Sequence, residues 1–578
     1  MTKLIVCLLL FLSPVTMTQA QNSDHNTEVS KQLDVLNAIY KYLDLMYVDT
    51  LDASDMVSTG INAMLKSLDP YTVYYPEENA SELKGMITGR WYAGIGAIIR
   101  YNYKLGCTVI DEPYEGNPAA EAGLRKGDIV LAVGDTSMVG KSVSYVSEHL
   151  RGDAGTNITV RIRRPVAKAA DGSIEYDEFD AKITRANIQM ATIPFYGLGP
   201  DSIGYLNLYS FTEDCAKEVR RAFIKMKNQG MRGFVLDLRG NGGGLLSEAV
   251  QIVNMFVPRD MVIVRTAGKV RRSNNEYKTT VEPIDTVMPI VVLVNSETAS
   301  ASEITAGSLQ DLDRAIVLGT RTYGKGLVQT SVDLPYNGQL KLTSSKYYIP
   351  SGRCVQAINY GHARGGYTEH IADSLTHVFH TANGREVRDG GGIKPDIEVR
   401  PDTMPNIAYY LTGIDSTEAL YTYVTDYVVS HPTIAAAGEF SLTDEDYEVF
   451  KQVVVNSGFT YDPESAKKID ELKEMLRFEG YYDDAKETLD LLEQKLKHDI
   501  ARDLDYHRHD IQRIIETDIV SVYYYQAGAI ENGLRGDEQF AEACRLINNL
   551  GDYRRTLTPQ PQDGNKQTVV SPLPGTSR

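Results

Sequence analysis

A hydroxyl attacks a carbonyl only when some group takes its proton, and in this chain Ser300 and Lys325 sit where that pairing can form. An apolar run at 289–294 reads as a buried strand, and a polar turn at 295–298 follows it. Ser300-Ala301-Ser302-Glu303 then opens a segment of helix formers with apolar residues at Ile304 and Leu309. A serine at such a strand-to-helix turn lies where unpaired N–H groups can stabilise a developing oxyanion. The Ala301 N–H is one candidate donor. A second strand, 314–319, leads to Gly324-Lys325-Gly326. Two flanking glycines let the backbone fold tightly and send the lysine inward. A desolvated lysine loses its proton readily and can serve as general base toward serine, with no histidine required.

Three other strings bear on the same chemistry. The run DLRGNGGG at 237–244 ends a predicted strand, 233–238, with glycines that permit close backbone approach. A second oxyanion donor is expected there. Ser302 is the rival nucleophile, two positions along and pointing away from Ser300. The string from Gly319 to Gly326 nearly matches a phosphate-binding loop, but it has Gly326 where Ser or Thr would hold magnesium, and a β-like run follows. His362, His370, His377 and His380 could offer a histidine base or a metal site. No Gly-x-Ser-x-Gly elbow surrounds Ser300, however, and the histidine spacing matches no ligand helix.

The elements that must position these residues are a mixed set, so the fold class expected is multidomain α/β (α+β). Residues 28–85 form a helical segment, with Leu33, Leu36, Tyr40, Leu43 and Tyr47 at helical spacing. Residues 88–166 hold short β-like runs with the turns NPAAEAGLRKGD and LRGDAGTN between them. Gly94, Ile95 and Gly96 open this module, where glycines can turn backbone N–H groups toward a carboxylate. The order of elements and the turn strings together resemble a PDZ domain. Strands and helices alternate through 185–400, an α/β core. Residues 405–555 show helical periodicity, including a face at Phe540, Ile547 and Leu550, and 558–578 is a polar, Pro-rich tail expected to be disordered.

Composition narrows the partners. The chain has 578 residues and a net charge of −18, which argues against nucleic acid. Its five cysteines form no CxxC pair, so no zinc is expected. Lys3, the apolar run 4–12 and Thr18-Gln19-Ala20 read as a signal peptide over 1–20, with an uncleaved anchor as the alternative. Export to the periplasm or cell envelope is expected, with full secretion as the other outcome.

The PDZ-like module, DLRGNGGG and SASE…GKGLVQ together resemble the C-terminal processing peptidases, also called tail-specific proteases, over roughly residues 35–400. The resemblance implies a core similar to the ClpP/crotonase-like fold, Ser300 as nucleophile, Lys325 as base and Gln329 as the residue that orients the lysine. On a strand after the glycine corner, 325, 327 and 329 would share a face. It also implies Gly242 as the second oxyanion donor with Gly243 close behind, Asp311 as a structural support, and Arg151 as a link between ligand binding and the active site. No cofactor is implied. The partners implied are proteins or peptides with apolar C-termini, captured at Gly94, Ile95 and Gly96. The helical region 405–555 lies outside the resemblance, and docking an adaptor or assembling a homo-oligomer are both open to it. A non-catalytic peptide-binding scaffold is the reading from another class, and the presence of both Lys325 and Gln329 argues against it.

Overall fold

The computed structural model describes residues 13–559, apart from 81–82, 84, 86–89, 171–172, 361–368, 401–403, 414, 463 and 497–498. The apolar run 4–12, His362 and all of the tail from 560 onward therefore lie outside the described residues. The chain divides into two units, Met1–Tyr74 and Tyr75–Arg578.

The smaller unit holds helices α1 (Ser13–Met46) and α2 (Ala53–Lys66), and Thr18-Gln19-Ala20 falls within α1. Asp52 caps α2 by accepting the Asp55 N–H at 2.9 Å. The predicted apolar stripe exists on α1, but Leu33, Leu36 and Tyr47 remain half or more exposed. Two helices offer too little surface to enclose a core of their own.

In the larger unit, the PDZ-like module is an antiparallel sheet. Its strands β2 (Ala97–Asn102), β3 (Cys107–Pro113), β4 (Ile129–Val133), β5 (Asn157–Lys168) and β6 (Ile174–Thr184) run in that order, and β1 (Arg90–Gly94) pairs instead with β7 (Ala186–Gln189). The boundary expected at 166 moves, because the β5–β6 ladder continues to Thr184. Helices α3 (Pro118–Glu121) and α4 (Val143–Leu150) complete the module. Proline at the first position starts α3, and Ser142 caps α4 through the Tyr145 N–H. Ile95, Ile110, Val130, Val146 and Ile162 fill its core.

The α/β core expected over 185–400 is built on a six-stranded sheet. Strand β8 (Phe195–Leu198) is antiparallel to β9 (Ile203–Asn207). From β9 the order runs through β10 (Gly233–Asp237), β12 (Ile290–Val294), β13 (Ile316–Gly319) and β16 (Ile397–Glu398), all parallel. A second sheet joins β11 (Val262–Gly268), β15 (Gln339–Tyr348) and β14 (Leu327–Asp333). Strands β10, β12 and β13 are buried along their whole length, as parallel strands covered on both faces must be. Alternate residues face opposite layers. Leu236, Val292 and Val317 meet helices α5 (Cys215–Asn228), α6 (Leu246–Asn254) and α7 (Ala301–Asp311).

Val235, Leu293 and Leu318 instead meet Phe540, Leu546, Ile547 and Tyr553. Those four belong to the last two helices, called α15 (Glu538–Asn548) and α16 (Leu550–Thr556) below. The region 405–555 is thus not one body. Its closing helices form the third layer of the core, with the Tyr553 hydroxyl donating to the Ile290 carbonyl at 2.9 Å. Leu550, expected on their apolar face, is 45% exposed.

The earlier helices α8 (Asn406–Gly413), α9 (Ala419–Ser430), α10 (Asp444–Ser457), α11 (Glu464–Glu479), α12 (Tyr482–Lys495), α13 (Ile500–Tyr506) and α14 (Arg508–Gly533) precede them. A separate cluster around Tyr423, Tyr447, Phe450 and Ile515 unites α8, α9, α10, α13 and α14. This bundle grips the PDZ-like module. Glu418, at the start of α9, accepts from Arg100 Nη1 at 2.7 Å and from the Tyr103 N–H at 3.0 Å. Lys126 pairs with Asp518, and the Tyr421 hydroxyl donates to the Gly127 carbonyl at 3.0 Å.

Candidate active site

Ser300 caps α7 with φ 57° and ψ −115°, a left-handed conformation that a side-chain-bearing residue adopts only under constraint. The constraints are visible on both sides. The Ala299 N–H donates to the Asn241 carbonyl at 3.0 Å, and the Ser302 N–H donates to the Ala299 carbonyl at 3.1 Å. The Ser300 N–H donates to Glu303 Oε2 at 2.9 Å. The Tyr347 hydroxyl reaches the Ser300 carbonyl at 3.3 Å. The turn therefore displays the serine at the head of a helix that is buried throughout.

Ser302 is fully buried, and its hydroxyl donates to the Asn241 carbonyl at 2.9 Å. That bond makes it a brace for the glycine loop and removes it as a rival nucleophile.

Glu303, for which the sequence alone indicates no role, is the centre of the site. Its carboxylate is wholly buried and faces four donors. Oε1 accepts from Thr322 Oγ1 at 2.6 Å and from the Gly324 N–H at 2.8 Å. Oε2 accepts from the Ser300 N–H at 2.9 Å and from the Lys325 N–H at 2.8 Å. One oxygen thus holds the serine and lysine backbone nitrogens within about 6 Å of each other. Burial raises the Glu303 pKa, while the four hydrogen bonds pull against that shift. The available signal was the S-x-x-E spacing, in which the glutamate reaches back to the cap residue's N–H.

The lysine corner is shaped by glycine. At Gly324, with φ 85°, an added Cβ would lie 2.3 Å from the Ala357 Cβ. The chain then enters β14 and not a helix, which disposes of the phosphate-loop reading. Gln329 lies on β14, two residues past the strand's first, and its Nε2 donates to Thr343 Oγ1 at 3.3 Å. The β14–β15 register shifts between Val328 and Gln329, where the extra residue is Ser344 on β15 and not one between Lys325 and Gln329.

The glycine loop lies against the serine turn. A Cβ on Gly243 would come within 2.7 Å of the Ala299 carbonyl oxygen, 2.8 Å of Ser300 Cβ and 2.9 Å of Ala301 N. Only glycine permits that approach. The Gly243 N–H is already bonded to Asn241 Oδ1 at 2.8 Å, and Asn241 Nδ2 is tied to the Leu208 carbonyl at 2.7 Å. The N–H groups of Gly242 and Ala301 have no acceptor among the described residues. Of the two glycines weighed from sequence, Gly242 is the one with a donor to spare.

Asp311, at the end of α7, accepts from Arg353 Nη2 at 2.8 Å and from the Ser351 N–H at 3.0 Å, a structural contact. His377 has a 78% exposed side chain and pairs with Asp389.

In the PDZ-like module, the Ile95 carbonyl accepts from the Ala119 N–H at 2.7 Å and the Gly96 carbonyl from the Tyr114 N–H at 3.0 Å. The N–H groups of Ile95 and Gly96 have no acceptor among the described residues. Gly96, with φ 73°, passes so close to Asn117 that a Cβ would sit 2.6 Å from the asparagine's own. Gly94 is the last residue of β1 and pairs with Ala186. Strand β2 ends the order of its sheet, with β3 on one side only. Arg151 is exposed and closes α4.

Known proteins bear on this arrangement. Residues 202–363 match peptidase family S41, 109–164 match a PDZ domain, and 407–547 match the probable PDZ-protease C-terminal helical domain. The chain is 34% identical over 354 residues to a carboxy-terminal-processing protease of Bartonella bacilliformis, covering 60% of this chain and 78% of that one. A probable CtpA-like serine protease of Staphylococcus aureus is 31% identical over 360 residues, with 61% and 68% covered. Among solved structures, the photosystem II D1 C-terminal processing protease shares 27% identity over 66% of this chain and 91% of that one, with a TM-score of 0.35.

Proposed function

The chain belongs to the carboxy-terminal-processing proteases of peptidase family S41, and we propose that it captures protein C-termini in its PDZ module and cleaves the same chains with a Ser300–Lys325 pair. It is a serine-type peptidase. The observation that carries the residue assignment is the Glu303 carboxylate, which ties the Ser300 and Lys325 backbones to one oxygen while Gly243 packs on the serine turn.

In this reading neutral Lys325 takes the proton of the Ser300 hydroxyl as Oγ bonds to the scissile carbonyl carbon. The carbonyl π electrons move to oxygen, and the resulting oxyanion accepts from the Ala301 and Gly242 N–H groups. Lys325 then gives its proton to the departing amine as the C–N bond breaks, leaving an acyl ester on Ser300. Water, deprotonated by Lys325, releases the acid and restores the hydroxyl. Gln329 orients the lysine. The captured tail adds to the open edge of β2, with its carboxylate on the N–H groups of Gly94, Ile95 and Gly96 and an apolar last side chain against α4. Arg151, at the end of α4, reports an occupied groove to the active site. An exported protein, resident in the periplasm or cell envelope, suits this activity.

The test is cleavage of an unfolded reporter ending in Val-Ala-Ala by wild type, Ser300→Ala and Lys325→Ala. Cleavage by wild type alone is expected. Equal tail binding with no cleavage by any of the three would favour a peptide-binding scaffold. Normal cleavage by Lys325→Ala would overturn the assignment of the base.

A further inference from the structure

The glycine loop is anchored at its root by side chains that arrive from the far end of the chain. Arg239 stands between Asp237, the last residue of β10, and Gly242. Its guanidinium meets Asp237 at both ends of the carboxylate, Nε to Oδ1 at 2.9 Å and Nη2 to Oδ2 at 2.6 Å. Nη2 also pairs with Asp537 Oδ2 at 2.6 Å, and Nη1 donates to Gln539 Oε1 at 2.9 Å. Each partner is fixed in turn. The Tyr205 hydroxyl donates to Asp237 at 2.7 Å. Gln539 Nε2 donates to the Val399 carbonyl at 2.6 Å, which obliges its oxygen to face the arginine. Asp537 caps α15 by accepting the Phe540 N–H at 3.0 Å.

Charge balance does not call for Asp537, because Asp237 alone neutralises the guanidinium. Helix capping does not call for an aspartate either, since asparagine caps equally well. What the second carboxylate adds is geometry. With Asp237 on one side and Asp537 and Gln539 on the other, the planar fork is held between the end of β10 and the start of α15.

We propose that Asp537, with Gln539, is a positioning residue for the peptidase reaction, acting through Arg239 to hold the loop that presents the Gly242 N–H. This rests on the reading of Gly242 as an oxyanion donor. An N–H displaced by a fraction of an ångström binds the tetrahedral oxyanion poorly while leaving substrate binding untouched.

The experiment measures kcat and KM of the full chain on the Val-Ala-Ala reporter, and the affinity for a peptide aldehyde that forms a tetrahedral adduct on serine. Asp537→Asn keeps the cap and removes the charge. A fall in kcat of about tenfold is expected, with KM within twofold and the aldehyde bound about tenfold more weakly. Asp537→Glu should recover much of the loss. Gln539→Met should give a smaller fall of the same kind, and it carries the test should Asp537→Asn prove unfolded by circular dichroism. A lowered melting temperature with kcat unchanged would make the clamp merely structural and overturn the proposal. A rise in KM at constant kcat would overturn it too. If wild type does not cleave, or Ser300→Ala cleaves equally, the catalytic reading itself has failed. If cleavage depends on Ser300 and the variants match wild type, only the clamp has failed.

Discussion

Replacing Glu303 with glutamine swaps one carboxylate oxygen for an NH2 group at the point where four donors converge. Two orientations are open to the amide. If the NH2 faces the Ser300 and Lys325 N–H groups, both lose their acceptor. If it faces the other pair, the Thr322 hydroxyl, which already accepts from the Ile393 N–H, can turn to accept from the amide, and the Gly324 N–H is the one backbone donor orphaned. The second orientation wins, because each buried unsatisfied donor costs about 1–3 kcal/mol. The loss of a wholly buried charge returns part of its desolvation, so about 1–3 kcal/mol is the ceiling of the expected destabilisation. For a core of this size that lowers the melting temperature by up to about 2–12 °C, read by calorimetry. The remaining carbonyl still ties Ser300 to Lys325, but the glycine corner slackens. We expect kcat on an unfolded reporter to fall about tenfold or more. Glu303→Ala removes every acceptor and should not accumulate as folded protein. A Glu303→Gln enzyme with wild-type kcat and melting would refute the reasoning, because the tie between the two catalytic strings would then be dispensable.

Gly243→Ala places a Cβ 2.7–2.9 Å from the serine turn at φ 100°, so activity should drop at least about a hundredfold with circular dichroism unchanged. Tyr347→Phe removes one long bond to the Ser300 carbonyl, and kcat should stay within about threefold of wild type in the same assay. Burial raises the Glu303 pKa, so on acidification its proton arrives at a higher pH than on an exposed glutamate and disables an acceptor. Lys325 protonation also gives kcat an acid limb, so the mark of Glu303 is a limb above the usual glutamate range that disappears in Glu303→Gln, and a profile of unchanged shape in that variant would count against Glu303 as a source. Glu418→Ala leaves the Tyr103 N–H without its acceptor and Arg100 with Asp111 as its remaining carboxylate, which should cost about 1–3 kcal/mol in stability and speed limited proteolysis between bundle and PDZ module.

What the sequence disclosed depended on how local each feature is. Ser300 and Lys325 stand out because strand, turn and helix signals are contiguous around each. Glu303 sits in the same string, yet its role arises from donors at 322–325, which meet it only once β13 pairs beside β12. Gln329 follows from the family motif, but nothing local shows that its amide meets Thr343 across the strand pair. Phe540 and Ile547 were recognisable as an apolar face, but nothing local says that the face covers Val235 and Leu293. The stripe on α1 shows the converse, since periodicity forecasts an apolar face and not whether anything covers it.

The position of α15 and α16 also sets when this enzyme can exist. The sheet that carries the glycine loop has one face covered by residues 540–553, and Arg239 receives two of its partners from 537 and 539. A chain emerging from its amino end has finished every strand of that sheet well before these helices appear. Until they arrive, Val235, Leu293 and Leu318 lack most of their cover on that side and the arginine fork lacks two of its three side-chain partners. Completion of this sheet thus waits on synthesis past residue 553, a delay that holds back cutting while the core is still being made.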